Sequence, residues 1–146
     1  MDSDLPIAVT HEVRDRCLCL HTQRAARRLA KRFDDALRPL GLTNGQFSLL
    51  MALNRPQAPR IGDLAELLAM DRTTLSAALK PLQRRRLLVA EADADDARVR
   101  RLRLTRQGIA LLKLALPVWR ESHAGLDQSL GASRTHRLRA DLDRLG

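Results

Sequence analysis

Residues 62–82 read GDLAELLAMDRTTLSAALKPL, and the spacing of their apolar and polar side chains decides the fold. The segment 62–68 predicts one compact helix, a two-residue connection follows, and Asp71 is a good N-cap for a second helix. Leucines occupy the positions of the second helix that should face inward, namely Leu75, Leu79 and Leu82. Two short helices joined by a tight turn, with a polar face on the second, predict a helix-turn-helix.

The hydrophobic period changes after the basic run 84–86. Residues 88–91 and 99–104 predict two strands, and the acidic segment 92–98 between them predicts a turn. Within the second strand the side chains alternate, with Leu102 and Leu104 facing in and Arg101 and Arg103 facing out. We call this hairpin, residues 88–104, the wing.

Before the helix-turn-helix, residues 1–9 predict a loose tail, and residues 10–40 carry a helical pattern of apolar side chains. The segment 41–43 should end that helix. Thr43 then begins another as a capping box with Gln46. This second helix carries Phe47, Leu49, Leu50 and Leu53, and it leads into a loop at 54–59 and a very short strand at 60–61.

After the wing, Thr105 is predicted to cap a long helix that runs toward Leu130 and is bent at Pro117. Gly131 should end this helix, and Ser133 should cap a last one. The predicted fold class is therefore mainly α with a small β-hairpin wing, and no internal repeat interrupts it.

The charge of the chain points to an anionic partner. Lysine and arginine total 26 against 17 acidic residues, for a formal net charge of +9. Residues 72–106 contain ten basic and four acidic side chains, so +6 of this charge lies in and around the helix-turn-helix and the wing. The chain has two phenylalanines, one tryptophan and no tyrosine, too few to stack the bases of single strands. Double-stranded DNA is therefore the predicted partner.

Other functional classes lack support in the sequence. No apolar run reaches the roughly 20 residues that a membrane span needs, and residues 1–10 lack a secretory pattern, so we expect a cytoplasmic protein without a membrane partner. The four histidines show no zinc-ligand spacing, so we expect no metal and no cofactor; they are His11, His21, His123 and His136. We find no catalytic motif in the sequence and therefore do not expect an enzyme.

The stretch LAELLAMDRTTL at 64–75, followed by Leu82 and Leu87–Leu88, resembles the helix-turn-helix of MarR-type regulators. The segment DADDAR at 93–98, followed by LTRQG at 104–108, resembles the wing of the same family. The resemblance covers roughly residues 12–145, and the two motifs at this separation are more specific than either alone.

The resemblance implies a homodimer in which a 10–40 dimerisation helix, a 41–106 winged helix-turn-helix and 107–146 dimerisation helices form one domain over residues 1–146. It also implies that the second helix enters a major groove and the wing lies beside a minor groove. Most relatives repress nearby genes and release DNA on binding a small phenolic or other anionic molecule, or on cysteine oxidation.

The side chains support these implied roles. The start of a recognition helix reaches base edges, and Arg72, Thr73, Thr74 and Ser76 stand there. Lys80 and the arginines from Arg84 to Arg86 suit phosphates, while Pro81 should bend the helix and leaves base contacts beyond Lys80 in doubt. Arg98 at the tip of the wing suits a narrow minor groove, and Arg100 continues this basic edge.

The acidic residues of the wing carry the same sign of charge as DNA and would be repelled by it. We expect Asp93 and Asp96 to hold Arg98 by charged hydrogen bonds and so to aim its side chain. The alternative is a purely structural pair that folds the hairpin.

The trigger that releases DNA has two sets of candidate residues. On one continuous helix Cys17 and Cys19 point to nearly opposite faces and cannot easily bond to each other, but Cys17 shares a face with His21 and two arginines, which favour thiolate. Against sensing stands the common use of cysteine as a small buried hydrophobe. A small aromatic or anionic ligand would instead contact a pocket whose candidate residues are His21, Phe47, Met51 and Trp119, all of which also fit a core.

Two alternatives belong to other classes. A DNA-architectural protein would bind or bend DNA without an effector, but it would favour wedge residues and a flexible basic arm. A thiol enzyme that reacts with peroxide would need a base and an oriented site around Cys17, for which His21 is a thin candidate.

Overall fold

A computed structural model describes residues 5–146, and within them the chain forms seven α-helices, one 3-10 turn and a two-stranded hairpin. The mainly helical fold with a β-hairpin wing is confirmed. The elements in chain order are α1 (Ile7–Arg16), α2 (Leu18–Leu37), a 3-10 turn (Arg38–Leu40), α3 (Asn44–Ala52), α4 (Ile61–Leu67), α5 (Arg72–Arg84), β1 (Leu88–Ala92), β2 (Arg100–Leu104), α6 (Arg106–Leu130) and α7 (Ala132–Asp143).

A leucine-rich core joins the central helices to the wing. Helix α4 packs on α5, α5 packs on α3 and β1, and α6 packs on α2, α3 and β2. The largest side chains that are fully buried are leucines of α2, α3, α4, α5 and the wing and of the residue directly before the wing, namely Leu37, Leu50, Leu64, Leu75, Leu82, Leu87, Leu88 and Leu102. The inward leucines expected in the helix-turn-helix and in β2 are all buried. One core thus fixes α5 and the wing relative to each other.

The long N-terminal helix predicted for residues 10–40 is wrong in its start and its continuity. Helix α1 already begins at Ile7, inside the predicted tail, of which residues 1–4 lie outside the described residues. The helix breaks at Cys17, whose backbone is extended and whose Sγ accepts a hydrogen bond from the Leu20 amide at 3.4 Å. The Cys17 thiol is thus the N-cap of α2. Helix α1 has no buried side chain, so no packing contact within residues 5–146 keeps α1 collinear with α2.

The predicted N-caps are confirmed for the three helices whose first amides bond to a polar side chain. Thr43 and Gln46 form the expected capping box, Asp71 caps α5 and Thr105 caps α6. The predicted cap at Ser133 is wrong, because α7 starts at Ala132 directly after Gly131. At this corner the Thr135 hydroxyl bonds to the Asp127 carboxylate at 2.7 Å and ties α7 to α6. Helices α5 and α6 continue through Pro81 and Pro117.

The wing hairpin has a regular antiparallel register. Leu88 pairs with Leu104 and Ala90 pairs with Leu102, so the predicted strands are correct to within one residue. The very short strand predicted at 60–61 is reduced to a single bridge between Arg60 and Arg101, because Ile61 already begins α4. The Leu102 amide also donates to the Pro59 carbonyl at 3.0 Å, which ties the loop before α4 to β2.

Both ends of the wing meet at the start of α6. The Thr105 hydroxyl bonds to the Arg86 carbonyl at 2.6 Å and accepts from the Gly108 amide at 3.0 Å. A Cβ atom at Gly108 would lie 2.0 Å from the Leu87 carbonyl oxygen. Only glycine therefore allows α6 to pack this closely against the chain that enters the wing.

Exposed large apolar side chains concentrate outside the winged core. Twelve of the fourteen lie before residue 30 or after residue 108, and the other two are Leu67 and Val89. Helix α7 alone exposes Leu138 to 48% and Leu142 to 43%. The terminal helices thus carry apolar surface that the described part of this chain does not cover. None of these helices is both long and apolar enough to cross a membrane.

We expect Gly108→Ala to lower the free energy of unfolding by about 1–3 kcal/mol, because its Cβ must displace backbone atoms. Urea unfolding followed by circular dichroism measures this loss. Gly45→Ala is the matched control, since the nearest atom to its Cβ is the Thr43 hydroxyl oxygen at 3.9 Å. Equal stability of both variants would contradict the tight contact.

Candidate nucleic-acid interface

The second helix of the helix-turn-helix presents a polar face to solvent. The chain turns between α4 and α5 at Ala69, which has a positive φ of 51°, and the Met70 amide bonds to the Ala65 carbonyl at 2.9 Å. Because Leu75 and Leu79 are buried below, the opposite face carries the side chains expected to meet DNA. Of these, Arg72, Thr73, Thr74, Lys80 and Arg84 are exposed and Ser76 is half-buried.

Thr74 has a structural duty that its predicted role did not include. Its hydroxyl donates to the Asp71 carboxylate at 2.6 Å, and its amide donates to the same carboxylate at 2.8 Å. These bonds hold the pKa of Asp71 below its usual range, with the hydroxyl as the larger cause. Because its proton is donated to Asp71, the Thr74 hydroxyl can meet a further partner only as an acceptor.

The arginine run 84–86 is not one uniform phosphate surface. The guanidinium of Arg85 donates to the Gly41 carbonyl at 2.6 Å, where the chain leaves the 3-10 turn with a positive φ of 66°. Arg85 thus ties the end of α5 to the end of the N-terminal helical segment. Arg85 therefore has a structural role, and its predicted contact with phosphates stays a prediction, as it does for Arg84 and Arg86.

The predicted pairing of Asp93 and Asp96 with the Arg98 side chain is wrong. The Asp93 side chain is only 2% exposed and accepts hydrogen bonds from the Asp95 amide at 2.9 Å and from the guanidinium of Arg101. Among residues 5–146, the Asp96 carboxylate accepts a hydrogen bond only from the backbone amide of Arg98, at 3.0 Å. Both acids therefore bond within the wing, but they leave the Arg98 side chain exposed.

Arg101 takes the place expected for Arg98. It was predicted to face solvent, yet its guanidinium turns back to the buried Asp93 and donates to the Ala58 carbonyl at 2.8 Å. A buried carboxylate needs a charged partner, and Arg101 is the arginine that the hairpin register brings to it. The amide of Asp95, followed by Arg101, holds the pKa of Asp93 below its usual range.

Four arginines line one cleft between α5 and the wing. Arg98 and Arg100 enter it from the wing, Arg72 from the start of α5, and Arg60 from the residue that precedes α4. The cleft measures about 460 Å³, and Asp63 is its single acidic residue. The structure therefore brings the expected recognition-helix and wing arginines together and adds Arg60, which the sequence did not single out.

The candidate effector residues separate into core and surface positions. Phe47 is buried, and its ring lies 6.2 Å from that of Trp119, while Met51 and Trp119 pack partly buried against the core. His21 is exposed and contacts the Asp15 carbonyl at 3.3 Å. His123, four residues after Trp119 on α6, completes the aromatic group with a centroid distance of 5.0 Å to Trp119.

The two cysteines do not lie on one continuous helix. Cys17 is half-buried at the break between α1 and α2, whereas Cys19 is exposed and its Sγ accepts from the side chain of Gln23 at 3.2 Å. The argument from opposite faces of one helix therefore no longer applies. Among residues 5–146, no three histidine, cysteine or acidic side chains converge as metal ligands.

Comparison with known proteins places this geometry in a family. The MarR family model matches residues 40–98. A crystal structure of the Mycobacterium tuberculosis transcriptional regulator MosR in complex with DNA is 40% identical, covers 89% of this chain and 96% of its own, and superposes with a TM-score of 0.79. The chain belongs to the MarR family.

Further relatives of this MarR-family chain are transcriptional regulators rather than enzymes. The repressor CouR, bound to a 23-mer DNA duplex, is 28% identical over 98% of this chain and 99% of its own, with a TM-score of 0.81. The regulator SarZ of Staphylococcus epidermidis is 28% identical over 91 residues, which are 62% of each chain. That alignment spans less than two thirds of the length of SarZ.

We expect Asp93→Asn to destabilise the wing of this MarR-family chain, because it removes the negative charge that Arg101 pairs with. The pKa of Asp93 is lower in the folded chain than in the unfolded chain. The ionised carboxylate therefore adds to the free energy of unfolding above the unfolded pKa of about 3.9, and this addition is lost as the pH falls through the folded pKa. The urea midpoint of the variant should lie below that of the unaltered protein at pH 7, and the gap should narrow in acid.

Asp95→Asn is the control, because the Asp95 carboxylate has no hydrogen bond or ion pair within residues 5–146. A gap for Asp93→Asn that stays constant from pH 7 to pH 3 would argue against the ion pair as its source.

Proposed function

We propose that this protein is a sequence-specific transcriptional repressor that binds double-stranded DNA as a homodimer. The observation that carries the proposal is the single basic face formed by the start of α5 and the wing, where Arg72, Arg98 and Arg100 converge. The MosR structure was determined in complex with DNA, and CouR is named a transcriptional repressor bound to a duplex. These relatives support the same activity here.

The exposed side chains divide into base-reading and backbone-binding roles. Arg72 at the first turn of α5 suits a bidentate contact with guanine, and Thr73 suits the methyl group of thymine. Lys80 and Arg84 lie farther along the exposed face and suit phosphates, which add affinity without sequence choice. Arg98 projects from the wing, and among residues 5–146 its side chain has no acidic partner, which suits insertion into a minor groove.

A second copy of this chain is the proposed cover for the apolar surface of the terminal helices. Exposed leucines on α7 and apolar side chains on α1 lie outside the winged core, and burying such area is the main drive for association. Two related copies would place two recognition helices on one duplex. A palindromic operator is therefore part of the proposal. The cytoplasm is the proposed location of the protein.

Release of DNA by a small aromatic or anionic molecule is the proposed form of regulation, and cysteine oxidation is the second candidate. The partly buried Trp119 and His123 of α6 lie between Phe47 of α3 and Phe33 of α2, so a ligand that parts these rings would shift α6 against both helices. Exposed Cys19 and half-buried Cys17 lie beside the break between α1 and α2, where oxidation would alter the N-terminal segment.

We expect Arg98→Ala to weaken binding to the operator by about 1–3 kcal/mol, or roughly 5- to 150-fold, while the oligomeric state stays unchanged. The measurement is fluorescence anisotropy with labelled duplex from upstream of the protein's own gene and excess random duplex. Arg55→Ala is the charge-matched control, because Arg55 is exposed but does not line the arginine cleft.

Unchanged affinity of Arg98→Ala would refute the role of the wing. Equal affinity of the unaltered protein for random and upstream duplex would favour an architectural protein over a regulator. Repeating the titration after mild peroxide separates the release mechanisms: loss of binding that reductant restores supports the cysteines, and unchanged binding supports a small ligand.

We expect Leu142→Glu to shift the protein from dimer toward monomer, because a charge would enter the proposed apolar interface. Sedimentation velocity over a concentration series measures the shift. Leu67→Glu is the control, since Leu67 is 54% exposed on α4 within the winged core. A concentration-independent monomer of the unaltered protein would overturn the proposed dimer.

A further inference from the structure

We propose that the arginine cleft between α5 and the wing seats one phosphate group of the DNA backbone, and that Arg60 is a DNA-contacting residue of this seat. The inference rests on the proposed function and adds to it a ligand group and a residue that neither motif contains. Its lining arginines come from three separate parts of the chain: the residue before α4, the first turn of α5, and the wing.

The backbone of Arg60 is fixed from two sides. It forms a β-bridge with Arg101, and the neighbouring Pro59 carbonyl accepts from the Leu102 amide at 3.0 Å. On the helical side, the Arg60 amide donates to the Asp63 carboxylate at 3.1 Å. A side chain on such a support keeps its position relative to the wing, which favours a preorganised contact over a flexible one.

The cleft has an excess of positive charge that the described protein does not neutralise. Within residues 5–146, the guanidinium groups of Arg72, Arg98 and Arg100 make no hydrogen bond or ion pair, and Arg60 reaches only Asp93, at 3.9 Å. The single acidic lining residue, Asp63, already accepts from the Arg60 amide. Several planar guanidinium groups around one space suit the oxygens of a phosphate, which they bind in pairs of hydrogen bonds.

Gly62 gives a second and independent observation. A Cβ atom at this position would lie 2.9 Å from Nη2 of Arg72, so the guanidinium of Arg72 rests directly against the glycine. Its φ is not in the left-handed region, and backbone conformation therefore does not require glycine there. The missing side chain instead leaves room for Arg72 inside the cleft.

The place of the cleft selects a backbone phosphate over a base edge. With α5 in a major groove and the wing at the adjacent minor groove, the strand that separates the two grooves must pass between these elements. The cleft lies between them and is lined by residues of both. The group that this strand presents outward is its phosphate, which carries one negative charge.

The test compares Arg60→Ala with Arg55→Ala on labelled upstream duplex and on random duplex of equal length, over a series of KCl concentrations. We expect Arg60→Ala to weaken both complexes by a similar factor of about ten. The slope of log affinity against log salt should become shallower by about one, because one phosphate contact is lost. Arg55→Ala should change neither quantity.

Gly62→Ala provides a variant that separates binding from folding. Alanine favours the helix, so the urea midpoint should be kept or raised, while DNA affinity should fall because Arg72 is displaced. In combination with Arg72→Ala, the glycine substitution should cost nothing further. A purely structural role of Gly62 would instead show as a loss of stability with unchanged affinity.

The outcomes distinguish this seat from the proposed function. If Arg60→Ala matches Arg55→Ala while Arg98→Ala weakens binding, the seat is overturned and the regulator stands. If the unaltered protein binds neither duplex, the proposed function itself fails. If inorganic phosphate at matched ionic strength raises the melting temperature of the unaltered protein only, and Arg60→Ala binds DNA normally, the seat belongs to a free anion and the DNA contact is overturned.

Discussion

The close contact between Gly108 and the Leu87 carbonyl is the constraint on which the wing depends. It brings the start of α6 against the chain that enters β1, so both ends of the hairpin are held at one point. Thr105 adds a hydroxyl that bonds to both neighbouring segments at the same place. With its base fixed on the leucine core, the hairpin has a defined direction, and that direction sets the positions of Arg98 and Arg100.

The arginines of the winged region divide into two groups with different duties. Arg85 and Arg101 are committed to the protein, where they bond to the Gly41 and Ala58 carbonyls and to a buried carboxylate. The arginines that line the cleft have no such strong partner within the described residues. They are Arg60, Arg72, Arg98 and Arg100. The committed group gives the loops their shape, and this leaves the other group free to bind an anion. A net charge of +9 alone does not reveal this division, because every arginine adds one positive charge whichever group it belongs to.

Local signals predicted much of this fold, and long-range pairing explains what they missed. Thr43, Asp71 and Thr105 each accept from the amide three residues on, so their caps could be recognised in the sequence. The partner of Asp93 depends on the hairpin register, in which Asp93 and Arg101 are diagonal neighbours, as are Glu91 and Arg103. The sequence alone does not give that register, and it favours Arg98 as the partner of Asp93 because Arg98 is the arginine nearest to Asp93 along the chain. The partner in the structure is Arg101. The approach of Arg60 to the cleft likewise depends on tertiary contacts that no short motif contains. The cap at Cys17 is local, since its Sγ accepts from the Leu20 amide three residues on, but cysteine is not among the usual N-cap residues.

The uncovered leucines of the terminal helices have a consequence for the life of the protein in a cell. A newly synthesised chain exposes Leu138 and Leu142, and such surface attracts chaperones and proteases. On the proposed dimer, pairing depends on the square of protomer concentration, so scarce chains are removed faster than abundant ones. The amount of working regulator would then rise more steeply than its rate of synthesis, which sharpens any control that acts on its own gene.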